Sequence, residues 1–449
     1  MAVYSFIQKS QLEGALRLDA EYYQPEYLEI ISKIKSQKSK FLGDLVSNII
    51  NGDEIREYVN DDGLPYLRVS DIKEFFIDLS SVVYISKDSK IKQNIKLIEG
   101  DILLSRSGSL GIAAVVTPDL ANSVISSHLM RIPVKSINPY FLVTFLNSKF
   151  GKSQIIQRNN GAVVPEINHP SLKTVLVPIL PENQQREVEL LVKKAYEQIQ
   201  NSNLIYSQAE NLLLEELGLK DFKVEEELSY VVDLSEVKSA HRADAEYFQP
   251  KYEKIFKFIK SPIKKLEEIT KFLNHAKQPP YIDGGEISII TQKHLGNIFL
   301  NLEPINEPDT KFTSAEWLKR YPEYQLKFGD VLYYSVGAYI GKTNIVFENL
   351  QATAASFITI IRPSKEIDSV YLTVVLNSVI GQLQSEKWQS ATAQQYIYPK
   401  DIKNFKIPIL PKLTQQKIAD LVQKSHEARS KAKQLLEEAK QKVEGLIEK

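Results

Sequence analysis

No cysteine occurs among the 449 residues. Disulfides and cysteine-bound metals are therefore excluded, and a reducing compartment such as the cytoplasm fits. No apolar run approaches the length of a membrane span. Residues 1–16 lack a basic stretch followed by an apolar core, so they do not read as a signal peptide. Net charge is missing too: 56 Lys and Arg balance 56 Asp and Glu, so any nucleic-acid role must rest on local placement of charge. The six histidines, His128, His169, His241, His275, His294 and His426, show no ligand spacing. No serine or cysteine nucleophile motif stands out. By elimination the chain reads as a non-catalytic globular protein of two or three domains.

What the chain does have is long helix. Residues 183–217 follow Pro178-Ile-Leu-Pro181 and stop at Gly218. Val188, Val192, Ala195, Ile199, Ser202, Tyr206, Ala209 and Leu213 alternate steps of four and three, which is the seam of a coiled coil. The C-terminus repeats this after Pro408-Ile-Leu-Pro411, with a seam of Ile418, Val422, Ser425, Arg429, Ala432, Leu436, Ala439 and Val443. The counterparts lie about 230 residues apart without slipping. One heptad position is small throughout, which predicts that Ala195, Ser202 and Ala209 face Ser425, Ala432 and Ala439 across a close antiparallel pair.

Other segments recur as well. Arg17-Leu-Asp-Ala-Glu-Tyr-Tyr-Gln-Pro25 is echoed by Arg242-Ala-Asp-Ala-Glu-Tyr-Phe-Gln-Pro250. Gly100-Asp101 and Gly329-Asp330 each feed an apolar strand that ends in a glycine loop, residues 107–111 and 336–341. Asn138 and Asp368 read as helix N-caps, with Pro139 tolerated in the first turn. The chain is thus a tandem duplication of mixed α/β (α+β) units. Residues 1–181 and 219–411 form two similar globular domains, and 182–218 and 412–449 form two long spacer helices. Strand order is not readable from this pattern. Between the shared anchors the units diverge, as one scaffold reading two different things would.

Several motifs fall short on spacing. Gly337 to Thr343 resembles a phosphate-binding loop, but only three residues separate its glycines and a strand-like stretch follows. Asn138-Pro-Tyr-Phe141 resembles a methyltransferase Asn-Pro-Pro-Tyr loop, but no glycine-rich cofactor loop accompanies it. What remains are polar and aromatic residues near the anchored loops. The first unit offers Arg68, Ser105, Arg106, Ser107, His128, Arg131, Arg158, Asn159 and Asn160. The second offers Lys277, Gln292, Lys293, His294, Tyr339, Lys342, Lys387, Trp388, Gln389, Gln394, Gln395 and Tyr396. Arg suits guanine, and Asn or Gln suits adenine, while Lys, Ser and Tyr commonly hold phosphate.

The proline-rich heads followed by Gln184-Gln185-Arg186 and Gln415-Gln416-Lys417, the run Gly100 to Gly108, and the loop Gly161 to Ile167 resemble the specificity subunits of type I restriction–modification enzymes. That resemblance spans nearly the whole chain. It implies two target-recognition domains separated by antiparallel helical spacers, each domain reading half of a bipartite double-stranded DNA target. It further implies a subunit with no catalytic activity and no cofactor of its own. Two modification subunits carrying S-adenosylmethionine would dock on it, and restriction subunits through them, without a membrane. The loop 389–394 departs from the first unit's Gly-Ala-Val-Val-Pro, which leaves the contact residues there open. Two other readings stay open: a coiled-coil assembly scaffold with no DNA role, and a nucleotide-binding enzyme built on Gly337 to Thr343.

Overall fold

The computed structural model describes residues 4–449 apart from 11, 13–16, 60–62, 80–81, 93–94, 162, 297, 303–309, 338 and 390–394. The chain divides into two compact units, residues 1–200 with 429–449, and residues 201–428.

In the first unit the strands are β1 (Ser39–Phe41), β2 (Ile50–Asn51), β3 (Leu64–Leu67), β4 (Val83–Ile85), β5 (Ile102–Ser105), β6 (Ala113–Val115), β7 (Val124–Ile125), β8 (Leu129–Ile132) and β9 (Leu176–Pro178). They pair in the orders β2-β8-β5-β6, β4-β3-β7 and β1-β9. The second unit has β10 (Ile263–Lys265), β11 (Thr270–His275), β12 (Ile287–Ile290), β13 (Phe312–Thr313), β14 (Val331–Tyr334), β15 (Thr343–Ile345), β16 (Ala352–Ala354), β17 (Ile358–Pro363) and β18 (Lys406–Pro408). Its orders are β11-β17-β14-β15, β13-β12-β16 and β10-β18. Each strand's pairing is that of the strand nine places earlier. The duplication thus extends to topology, including the parallel pairs β3–β7 and β12–β16.

Sequence reasons for these elements are local. β5 and β14 are buried along their whole length, so they read as continuous apolar runs rather than alternating ones. Beside each four-stranded sheet lies an apolar helix, α1 (Pro139–Asn147) or α2 (Ser369–Asn377). Asn138 Oδ1 accepts from the N–H groups of Tyr140 and Phe141 at 2.9 and 3.1 Å, and Asp368 Oδ1 accepts from Val370 and Tyr371 at 2.8 and 2.9 Å. Both expected caps therefore form, each satisfying two orphan donors. Strand order lets the last residue of each helix lock onto the sheet edge. The amide of Asn147 exchanges two hydrogen bonds with Ala113 (3.1 and 2.8 Å), and Asn377 does the same with Thr343 (3.0 and 2.8 Å).

The long helices are Glu182–Leu217 and Lys412–Glu448. In the first unit Val188 and Val192 join one core with Ala439, Val443 and Ile447, while Ala195 packs against Ala432 and Leu435. In the second, Ala209, Leu213 and Leu217 join one core with Ile418 and Val422. There Ser202 and Ser425 hydroxyls meet at 3.0 Å, and the Ser425 hydroxyl donates to the Ser202 carbonyl at 2.8 Å. The helices run antiparallel in both units, and buried hydroxyls at the close approach satisfy one another. The expected small-against-small pairing holds for Ala195 and Ser202 only. Ala209 and Ala439 instead pack in domain cores with Ile418 and Val188, because antiparallel register brings small positions opposite large ones towards the helix ends. Gly218, at φ 73°, takes the left-handed turn that ends the first helix.

Candidate nucleic-acid interface

Each unit holds its frame with side chains that the sequence repeats. Arg17 pairs with Asp19 at 2.6 Å and donates to Asn159 O at 3.1 Å; Arg242 pairs with Asp244 at 2.5 Å and donates to Gln389 O at 3.1 Å. The Gln-Gln motif works through one glutamine. Gln185 accepts from Asn138 N–H (3.1 Å) and donates to Leu180 O (2.8 Å), and Gln415 accepts from Asp368 N–H (2.9 Å) and donates to Leu410 O (2.8 Å). These contacts tie the capped helix to the head of the long helix in each unit.

On this frame the glycine loops acquire matching neighbours. In the first unit Gly108, at φ 77°, donates its N–H to Pro165 O (3.1 Å), Ile167 donates to Arg106 O (3.0 Å), and Arg106 donates to His128 O (3.0 Å). In the second, Gly337, at φ 81°, donates to Gln395 O (3.1 Å), Ile397 to Ser335 O (2.9 Å), and Ser335 to Phe357 O (3.2 Å). Each glycine loop is therefore gripped between the turn before β8 or β17 and the segment that carries Ile167 or Ile397. Positive φ at the paired glycine makes a larger residue there strained.

The side chains at these matched positions differ. In the first unit the Arg106 guanidinium pairs with Glu166, and the buried Arg106 Nε has no partner among the described residues. Beside it His169 Nε2 donates to Asn51 Oδ1 at 2.7 Å. Burial, with the nearby Arg106 charge adding repulsion, holds this imidazole below its ordinary value. In the second unit Ser335 and Tyr396 replace Arg106 and Glu166. Tyr396 OH meets His275 Nε2 at 2.5 Å, His275 Nδ1 meets Thr359 Oγ1 at 3.0 Å, and Thr359 meets Ser335 at 2.6 Å.

The sequence candidates separate into two groups. Ser105, Arg131, Arg158 and His294 are buried. Ser105 accepts from Ile112 N–H at 2.8 Å and braces the glycine loop from inside. Arg131 pairs with Asp101 at 2.5 Å on the neighbouring strand. Arg158 donates to Gln154 O, Gln157 Oε1 and Thr174, at 2.9–3.1 Å. His294 caps a short turn by accepting from Thr291 N–H at 3.0 Å, the role Asp71 plays towards Arg68 N–H (2.8 Å) in the first unit. Arg68 is half-buried, 3.7 Å from Asp71. Asn159 closes the 159–166 loop, accepting from Gly161 and Glu166 N–H at 2.9 Å. Lys387 pairs with Glu253 at 2.8 Å, and Trp388 packs edge-on to Tyr247. Gln389 is half-buried beside Trp388, its carbonyl taken by Arg242.

The others are accessible around the loops. In the first unit Arg106 and Ser107 are half-buried, and His128 and Asn160 are exposed. In the second, Lys277, Gln292, Lys293, Tyr339 and Gln395 are exposed, and Lys342 and Tyr396 are half-buried. Lys277 Nζ lies 3.8 Å from the centre of the Tyr321 ring, and Lys342 Nζ 5.1 Å from that of Tyr339. Gln394 lies outside the described residues. Sequence reasoning missed Asn51, Glu166, His169, His275 and Thr359. Aligning the units on Gly100-Asp101 and Gly329-Asp330 locates Arg106 and Ser335 as equivalents, but their partners emerge only from strand order.

Residues 263–441 match the family described as Type I restriction modification DNA specificity domain. Among curated proteins the chain is similar to the specificity subunit of the type I restriction enzyme MjaIX of Methanocaldococcus jannaschii, 19% identical over 423 residues, covering 91% of this chain and 90% of that one. Among solved structures it is similar to the S subunit of a type I restriction–modification system from M. genitalium, at 13% identity and a TM-score of 0.40, covering 92% of this chain and 95% of that one. It is also similar to the HsdS subunit from Thermoanaerobacter tengcongensis, at 17% identity and a TM-score of 0.30, covering 92% and 96%.

Proposed function

We propose that the chain, whose residues 263–441 match the family described as Type I restriction modification DNA specificity domain, reads a bipartite duplex DNA target, one half per unit. Its role is recognition, and it is not an enzyme. The loop that suggested nucleotide binding runs into β15 rather than into a helix, unlike a phosphate-binding loop.

One observation carries the two-reader proposal. The same frame presents Arg106 with Glu166 in one unit and Ser335 with Tyr396 in the other, at positions fixed by equivalent backbone bonds. A guanidinium offers only donors, whereas a phenol hydroxyl can also accept, so identical frames with unlike loops suit two different half-sites. On this reading the chemistry belongs to partners. Two modification subunits bring S-adenosylmethionine and methylate the DNA, and restriction subunits join through them. The two long helices, of 36 and 37 residues, set the spacing between half-sites. Inserting four residues after Ser202 adds about 6 Å and close to a full turn, which lengthens the unread gap and keeps both half-sites.

The test is selection of duplexes from a random library by the subunit assembled with its methyltransferase, at several salt concentrations. Two short blocks separated by a constant unread gap are expected, with affinity falling linearly on a log–log salt plot. Binding with no sequence preference, or none that depends on salt, would favour the scaffold reading.

A further inference from the structure

The second unit carries a hydrogen-bonded chain that ends at its candidate reading loop. Tyr396 OH, His275, Thr359 and Ser335 connect in that order, and Ser335 Oγ lies 3.4 Å from Tyr333 O. The last of these atoms is a carbonyl and can only accept. With Ser335 donating there, the remaining bonds run in one direction. Ser335 donates to Tyr333 O, Thr359 to Ser335, His275 Nδ1–H to Thr359, and Tyr396 O–H to His275 Nε2. Burial keeps both ends suited to this arrangement, holding the His275 imidazole neutral and the Tyr396 phenol protonated. Thr359 and Ser335 are fully buried, whereas Tyr396 is half-buried beside exposed Gln395 and Tyr398.

The strand end that holds His275 does equivalent work in the first unit. Asn51, its counterpart by register on β2 and β8, fixes the His169 tautomer by accepting from Nε2–H at 2.7 Å. A strand-end residue orienting a polar group beside the loop is thus a feature of both units, built from different side chains.

We infer that His275 is a positioning residue that commits the Tyr396 hydroxyl proton inward, so that Tyr396 presents only an acceptor oxygen to DNA and selects a base with an exocyclic amino group. In the major groove adenine N6 and cytosine N4 offer such donors, whereas guanine O6 and thymine O4 are acceptors. Tyr396 therefore favours adenine or cytosine at one position of the second half-site. This rests on the two-reader proposal. A free tyrosine hydroxyl would turn to suit either kind of base and would discriminate poorly.

The experiment maps methylated sites made by the complete complex carrying wild-type subunit, Tyr396→Phe, His275→Ala or His275→Gln. Tyr396→Phe removes one oxygen and should relax one position of one half-site, costing about tenfold in discrimination there. His275→Ala should relax the same position by freeing the hydroxyl proton. His275→Gln should restore the preference, since its amide oxygen can accept from the phenol as Nε2 does. A purely packing role for His275 would not be rescued in this way at a single base. Unchanged base preference in Tyr396→Phe, or a wild-type preference for guanine or thymine at the affected position, overturns the inference. If the wild-type complex yields no bipartite motif, the two-reader proposal fails instead.

Discussion

Both units bury an aspartate at the same turn, Asp101 and Asp330, and both neutralise it with an arginine from the neighbouring strand. The arginines are not equivalent. Arg131 stands opposite Leu103, whereas Arg362 lies two residues beyond Ile360, the position matching Arg131. Two residues along a strand return to the same face, so either position delivers a guanidinium to the carboxylate. Here divergence is compensated, as the frame requires. At the loops it is not: the Arg106–Glu166 ion pair has no counterpart at Ser335 and Tyr396. Compensated differences mark the scaffold, and uncompensated ones mark where the two units do different work.

The largest effect should come from breaking the compensated pair. Asp101 and Arg131 are 5% and 6% exposed, so Arg131→Ile strands a buried carboxylate at a cost of about 3–5 kcal/mol. Moving the guanidinium with Arg131→Ile and Pro133→Arg together copies the second unit's arrangement and should recover most of that loss. Denaturant unfolding of the three proteins decides it, and a double variant no more stable than the single one would show that face and distance do not suffice.

The helix seam offers a smaller contrast. Ala432→Phe inserts a ring where Ala195 approaches closely and should cost about 1–3 kcal/mol by overpacking. Ser425→Phe should cost at least as much, since it also orphans the Ser202 hydroxyl. Equal melting temperatures for wild type and both variants would argue against close packing in either unit.

The smallest effect concerns the cap that is Asp71 in one unit and His294 in the other. Burial depresses the His294 pKa. Below about pH 6.5 the unfolded chain takes up a proton that the folded chain refuses, so this stability is present above that pH and lost as pH falls towards the depressed value. His294→Asn keeps a capping oxygen and removes the titration. Its melting temperature should decline less steeply than wild type between pH 7 and pH 5, and parallel declines would remove His294 as a cause.

The duplication, long helices and both Asn/Asp caps were legible in the sequence, because seam spacing, cap residues and Gly-Asp turns are signals within a few positions. Strand order was not, and that is why Arg131 and Arg158 read as possible contacts: their partners lie 30 residues away for Arg131 and 16 for Thr174. The burial of His294 and Ser105 was not legible for a related reason, since residue type does not say which face of an element a side chain occupies. His275 escaped notice as one scattered histidine because its partner Tyr396 lies 121 residues downstream. Arg106, Lys342, Gln395 and Tyr396 were placed beside the loops from the anchors alone.

The most direct test of the central claim is to map methylation by the assembled complex carrying Arg106→Ala or Lys342→Ala. Arg106→Ala should alter base preference in one half-site only, by about 1–3 kcal/mol if Arg106 reads a base. Lys342→Ala is predicted to act through the other half alone, with a uniform loss and a shallower salt slope if it holds phosphate. Altered preference in both half-sites from either single substitution would contradict it.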